Sequence, residues 1–249
     1  MEPQEYHTLF EVEDTHWWFR SLHELVVGCL SEMLRQAQHD VLHLLDAGCG
    51  TGGLAKKLIV LGDVEAIDNS SLAIEYCKKR GLQNVHQADL NTLALPEAAY
   101  DAITCIDVLY HREIRDPAKV LRMFFKALKP GGILFLHLPA FEFLRSAHDT
   151  KVHTGHRYSL KEVRSLLWEA GFTVEWSSYR LMLLFLPVLL FKLLCPHRKH
   201  SDAETPPVLL NVFLLALSRM ENAFSRIVPL PFGVSLYAVA RKAQNSSAI

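Results

Sequence analysis

The 249-residue sequence predicts an α/β fold, with a doubly wound, mostly parallel sheet and helices on both faces. Three observations carry this. From residue 41 onward, strand-like and helix-like segments alternate. The apolar run Val41 to Leu45 ends in Asp46 and is followed by glycines at alternate positions, Gly48, Gly50 and Gly52. A helical pattern, Leu54 to Ile59, begins directly after them. Strand, glycine turn and helix open a nucleotide-binding unit, in which the chain turns sharply and a ligand touches bare backbone.

Residues 1–40 read as an N-terminal helical cap. Leu22, Leu25, Val26, Cys29, Leu30, Met33 and Leu34 recur at spacings of three and four, and Thr15 is placed to cap that helix. An aromatic cluster, Tyr6, Phe10, His16, Trp17, Trp18 and Phe19, lies ahead of it. Adjacent residues cannot share a helix face, so one of Trp17 and Trp18 is expected to pack inward and the other to face a pocket.

Residues 41–249 read as the main domain. Its predicted strands are Val41–Asp46, Asp63–Asp68, Asn84–Ala88, Asp101–Asp107, Gly132–Leu138, Phe172–Arg180 and Val234–Ala240. Helices are expected at Gly52–Leu61, Ser70–Arg80, Pro117–Leu128 and Ser159–Ala170. Asp116 before Pro117 is a cap followed by a first-turn proline. Between the last two strands, at about 181–230, lies a hydrophobic insert. Its first run, Leu181 to Cys195, is 15 residues. As helix it is roughly 22 Å long, short of the ~30 Å of a hydrocarbon core. A second apolar run, Leu209 to Leu217, follows the basic cluster His197-Arg198-Lys199-His200. An apolar run beside a basic cluster suits a helix lying on an anionic membrane. The competing reading is an insert that closes over the core or a pocket, or forms a dimer interface; the sequence does not set the oligomeric state.

A net charge of −1 excludes bulk attraction to nucleic acid, and none is expected as partner. Cys29, Cys49, Cys77, Cys105 and Cys195 lack metal spacing, and an odd count with an acidic N-terminus points to a reducing, cytoplasmic setting, peripheral to a membrane if the insert meets one. His39, His43, His86, His137, His197 and His200 are given no functional role.

Four further features give the glycine turn its meaning. Asp46 precedes the first glycine by two residues, Asp68 closes the second strand, Asp89 follows the third, and Lys129-Pro130-Gly131-Gly132 precedes the fifth. In this combination the chain resembles the class I S-adenosylmethionine-dependent methyltransferases, closely over residues 41–140. The resemblance implies a Rossmann-like sheet of seven strands, the last inserted antiparallel between the fifth and sixth. It implies S-adenosyl-L-methionine as cofactor. Gly48, Cys49, Gly50 and Gly52 would line its methionyl and ribose portion, and Asp46 would orient that loop or receive the amino group. Asp68 would accept both ribose hydroxyls, a carboxylate having two oxygens for two donors. Asn69 lies in the adenine-side turn, Asp89 and Leu90 would take the adenine, and Asp107 stands near the methionyl end.

The same resemblance places the acceptor around His111 and the loop Phe141 to Tyr158. His111 is a candidate general base on a hydroxyl, with a structural role as the alternative. His156 is the second catalytic candidate. Trp17, Trp18, His153, Arg157 and Tyr158 are expected on the acceptor side, Arg157 as a clamp for an acidic group. His153-x-x-His156 has no third ligand at a useful spacing, and transfer from a sulfonium needs no metal, so no metal is expected. The expected reaction is methyl transfer to oxygen or carbon of a small-molecule or lipid-like acceptor by in-line displacement. Two alternatives stand beside it: a non-catalytic S-adenosylmethionine sensor or partner subunit, and an NAD-dependent oxidoreductase, since Gly48, Gly50 and Gly53 also fit G-x-G-x-x-G.

Overall fold

The structure is a computed structural model and describes residues 2–35, 41–194 and 206–244. Two helices open the chain, α1 (Pro3–Val12) and α2 (Trp17–Leu34). Strands and helices then alternate: β1 (His43–Ala47), α3 (Gly53–Leu58), β2 (Asp63–Asp68), α4 (Ser71–Lys79), β3 (Val85–Gln87), β4 (Tyr100–Ile106), α5 (Pro117–Ala127) and β5 (Leu128–Pro139). The rest is α6 (Ala147–Lys151), α7 (Leu160–Glu169), β6 (Thr173–Arg180), α8 (Phe185–Leu194), α9 (Val208–Ser225) and β7 (Ser235–Arg241). The sheet has seven strands in the order β3-β2-β1-β4-β5-β7-β6. Strands β1 to β5 pair parallel, and β7 runs antiparallel between β5 and β6, as expected. The order reverses beside β1, which puts the ligand crevice at the carboxyl ends of β1 and β4.

Sheet side chains alternate between two apolar layers. On one face Leu22, Leu25, Val26 and Leu30 of α2 meet Leu44, Ala102, Ile133, Phe135, Tyr237 and Val239. On the other, Leu45, Ile103, Leu134 and Leu136 meet Val120, Leu121 and Phe124 of α5 and Val163 and Leu167 of α7. Helix α2 is therefore a layer of the sheet core as well as a cover. Helix ends follow local chemistry: Asp116 caps α5 ahead of Pro117, and Ser159 with Glu162 forms a capping box on α7. Thr15 does not cap α2. His16 does, its ring accepting from the Trp18 amide, while the Thr15 hydroxyl bonds back to Val12. Strand β5 begins earlier than expected, at Leu128, because Leu128 pairs with Tyr100 ahead of a register shift.

The insert is built inside out. Helix α8 has no buried residue. Of the five buried residues of α9, four are polar: Ser218, Glu221, Asn222 and Ser225. Asn222 bonds Ser21 and the fully buried Arg180, and Glu221 accepts from the Met182 and Leu183 amides. Leu209, Val212, Phe213, Met220 and Phe224 face outward instead. By length and composition α9 is the one described helix apolar enough to cross a membrane. The basic cluster at 197–200 and Cys195 lie outside the described residues.

Leu30 is wholly buried between α2 and the sheet. Leu30→Ala is expected to lower stability by about 2–5 kcal/mol in urea unfolding, the cost of a core cavity. A loss near zero would mean that α2 only rests on the domain.

Candidate functional site

A cavity of about 1190 Å³ opens at the carboxyl ends of the strands. Its cofactor-side floor is the turn after β1. The Gly48 and Cys49 amides both donate to the Ile67 carbonyl, at 2.8 and 2.9 Å, which folds the turn back over β2. Gly48 sits at φ +79°, and a Cβ there would lie 2.2 Å from Val108, so backbone is bare at this point by necessity. Gly52, at φ +82°, caps α3 and is closed off by Leu82 and Cys77; it shapes the turn and does not line the cavity.

Asp68 projects from the end of β2. One of its oxygens accepts from the Gly50 amide at 3.0 Å and the other from the Ser70 amide at 2.9 Å. Burial raises its pKa, opposed by these two bonds. Tyr6 of α1, itself buried, interacts with both Asp68 and the Ser70 side chain and roofs this corner. Asp46 is buried at the end of β1. Thr104 donates to one of its oxygens at 2.7 Å, and the other has no partner among the described residues. Burial, aided by the nearby Glu13 and Asp68 charges, pushes its pKa up to about 7. Asn69, Asp89 and Leu90 line the next stretch of wall, with Asp89 held by the Asn91 amide and side chain at 2.9 and 2.7 Å.

Behind the turn stands Glu13, which the sequence reading did not single out. Its carboxylate accepts from the Thr51 hydroxyl, the Gly53 amide and Arg80. This removes the dinucleotide reading. The amide of the third glycine and the helix N-terminus, where a pyrophosphate would sit, already hold a protein carboxylate. The signal was present as Glu13-Asp14 inside an aromatic cluster, with no sequence cue for its distant partner.

Asp107 closes β4 in a left-handed conformation, φ 54°. Its carboxylate meets His137 Nδ1 at 2.9 Å, and His137 Nε2 meets the Ser235 hydroxyl at 3.0 Å. Asp107 and Ser235 both line the cavity, and the wholly buried His137 fixes them to each other. His137 was given no role from sequence.

The acceptor-side expectations divide. Trp17 and Trp18 both line the cavity, so neither turns away, and Trp18 also covers the Arg180 guanidinium at 5.1 Å. His111 and His153 line it together, ring centres 5.5 Å apart. Burial lowers the His111 pKa to about 4. His156 is a correction: its ring stands over Tyr158, pairs with Glu162 and Glu142, and is not in the cavity wall. Arg157 reaches the cavity but is spent on Asp149, at 2.8 and 3.2 Å, and on the Ala140 carbonyl, so it braces the loop and is not a free clamp. Tyr158 is buried away from the cavity, its hydroxyl on the Leu109 carbonyl. The expectation that no third ligand stands near His153 does not hold. Glu113, unnoticed in the sequence, joins His111 and His153, their ligand atoms all within 4.8 Å of one another. At the far end the wall is apolar, with Leu184, Pro187, Val188 and Phe191 on one side and Leu210 and Leu214 on the other.

Comparison with known proteins agrees with this geometry. The Methyltransferase domain family matches residues 15–176. A ubiquinone biosynthesis O-methyltransferase of Marinobacter nauticus is 30% identical over 141 residues, 51% of this chain and 58% of that protein. A protein of Mycobacterium tuberculosis named a probable S-adenosylmethionine-dependent methyltransferase is 31% identical over 169 residues, 66% of this chain and 59% of its own. The chain thus spans less than two thirds of the length of either relative. Among solved structures, a methyltransferase of Thermotoga maritima superposes with a TM-score of 0.57 over 96% of this chain and 95% of that one, at 19% identity, a likeness of fold. With the spaced acids, the bare glycine turn and the inserted antiparallel strand, the match establishes that the chain belongs to the class I S-adenosylmethionine-dependent methyltransferases.

Proposed function

We propose that this chain moves a methyl group from S-adenosylmethionine to a hydroxyl of a small, lipid-like acceptor. One observation carries the reading: a single cavity joins the Asp46–Asp68 corner to Trp17, Trp18 and His111 and continues to the apolar wall of α8 and α9. Ordinary ligand sites occupy roughly 300–1,000 Å³. At about 1190 Å³ this one has room for a cofactor and an acceptor together. The curated relative named for O-methylation supports an oxygen as the methylated atom.

The residues fit the cofactor. The unpartnered Asp46 oxygen is a buried acceptor without a donor, which an ammonium group satisfies. Asp68 accepts one backbone amide at each oxygen and lines the cavity, where a ribose hydroxyl would meet its carboxylate. Asp89 and Leu90 offer one polar and one apolar surface to the adenine. The bound cofactor supplies a sulfonium, whose departure needs no acid. The chain's own part is alignment: the indoles and the roof formed by Tyr6 exclude water, and His137 holds Asp107 and Ser235 in place between the two ligands.

The insert supports an acceptor with an apolar tail. A helix that buries its polar face and exposes its apolar one is matched to a surrounding of low polarity, and here that face flanks the cavity wall. Helix α9 is tied down along its length by Asn211, Arg219 and Asn222, which suits lying against a bilayer and not crossing it.

Asp68→Ala is expected to weaken binding of the cofactor's demethylated product by about 1.5–3 kcal/mol in calorimetry, the scale of hydrogen bonds to a charged group. Unchanged affinity in a folded variant removes Asp68 from the ribose.

Asp46 gives a pH signature. Because its folded pKa is raised, the ligand-free chain loses stability as pH climbs from the ordinary carboxylate range to about 7, and no more above it. An ammonium ligand needs the ionised form, so product affinity should rise with pH and level off above about 7. Asp46→Asn should bind weakly at every pH and flatten that profile; a wild-type profile in the variant would refute the assignment.

Vesicle co-sedimentation tests the insert. The wild-type chain should bind anionic vesicles, and Leu209→Glu with Phe213→Glu should release it, each lost apolar anchor being worth about 1.5–3 kcal/mol. Product affinity should not change. A chain that ignores vesicles at low salt sinks the membrane part of the reading.

A further inference from the structure

His111, Glu113 and His153 come from two segments that the backbone ties together. The Arg112 amide donates to the His153 carbonyl at 3.0 Å, and the Gly155 amide donates to Tyr110 at 2.8 Å. His111 and Thr154 form an antiparallel bridge. Gly155 has no room for a side chain, since a Cβ would sit 2.9 Å from the Arg112 backbone. His153 is held at φ 55°, a conformation that β-carbon sterics disfavour and that sets where its ring leaves the chain. These constraints bring two imidazoles and one carboxylate together with all ligand atoms within 4.8 Å of each other. The His111 ring and the Glu113 carboxylate are already 4.0 Å apart. All three residues line the cavity, on the side where the acceptor would lie.

We infer that His111, Glu113 and His153 form a divalent transition-metal site, with zinc as its metal, in the acceptor half of the cavity. Two imidazoles and one carboxylate are a donor set for zinc that leaves coordination positions open. Imidazole ligands argue against magnesium and calcium, which take oxygen. Because all three residues line the cavity, positions left open on a bound metal would be reached from it. A metal held there would weaken the O–H bond of an acceptor hydroxyl bound to it: the proton would leave to solvent water and the electron pair stay on the oxygen, the nucleophile that methylation of oxygen requires. This use of the metal rests on the hydroxyl-acceptor reading above; the existence of the site does not.

The test is zinc binding to the full chain without cofactor, by calorimetry, with cobalt(II) as a spectroscopic stand-in. One zinc per chain at micromolar or better affinity is expected, and cobalt should give visible absorption bands of nitrogen and oxygen ligation. His153→Ala and Glu113→Gln should each weaken binding by at least about tenfold. Glu113 is exposed, so its variant keeps the fold even if the His153 variant does not. His86→Ala, which removes an exposed histidine on β3 outside the cavity wall, should bind as wild type does. Absence of saturable zinc binding overturns the site, as does binding that survives Glu113→Gln unchanged or that His86→Ala abolishes. Metal binding is read here without any methyl transfer, so failure of the proposed reaction and failure of the metal site are separate results.

Discussion

The buried Glu13 carboxylate holds the two halves of the molecule together. It lies in the segment between α1 and α2, yet its oxygens serve the first turn of α3, through Thr51 and Gly53. Burial raises its pKa, and the Thr51 bond and the Arg80 charge oppose that. Arg80 is the counter-charge, because His23 is kept neutral: burial, with Lys57 and Arg80 adding, lowers its pKa well below the ordinary value. Lys57 donates to His23 Nδ1 at 3.1 Å, which leaves Nε2 to carry the proton toward Glu13, 3.7 Å away. Breaking a buried pair of this kind costs roughly 3–5 kcal/mol, because the partner charge is stranded. A negative charge supplied by the protein at the α3 N-terminus also defines the ligand class. It satisfies the helix there and leaves the glycine turn to a ligand that brings no phosphate.

From this anchor the site divides into a rigid end and an assembled end. The rigid end is made of strand termini: Asp46, Asp68 and Asp107 stand on neighbouring strands whose spacing the ladder sets. The assembled end draws on the α2 start, the 107–114 turn, the 141–158 loop and the insert, and no single ladder fixes it. Buried polar bonds do that work instead. His137 bridges Asp107 to Ser235 across β4, β5 and β7, and Arg180 is wedged between Ser21, Asn222 and the Trp18 ring. One Arg180 nitrogen and the Ser218 hydroxyl remain without partners among the described residues, which marks this polar layer under the insert as imperfectly satisfied.

The sheet was legible because its signals are local, and the strand-end acids read from it do line one cavity. Asp46 and Asp68 each end a strand, and two-residue alternation fixes which way a strand-end side chain points. The acceptor side was not legible because its residues meet through contacts distant in sequence. His156 and Arg157 read as ligands by type, but Glu142, Glu162 and Asp149 had already engaged them. Glu113 carried no signal of its own in the sequence; the bridge between His111 and Thr154 is what brings His153 beside it. The inverted character of α9 did have a cue. Asn211, Ser218, Asn222 and Ser225 recur at seven, four and three, a polar stripe along a mostly apolar helix. A polar stripe is ordinarily taken as the solvent face, and that habit hides it when the buried neighbours are themselves polar.

Asn211 has a consequence beyond fastening α9. Its side-chain oxygen accepts from the Trp17 amide at 2.9 Å and its nitrogen donates to the Thr15 carbonyl at 3.0 Å, so it grips the corner between α1 and α2 from both sides. Helix α1 covers Asp68 through Tyr6, and α9 contributes Leu210 and Leu214 to the wall of the same cavity. The two covers come from opposite ends of the chain but share this one clasp. Asn211 thereby fastens the N-terminal cover beside Asp68 to the insert that walls the same cavity, two segments far apart in sequence.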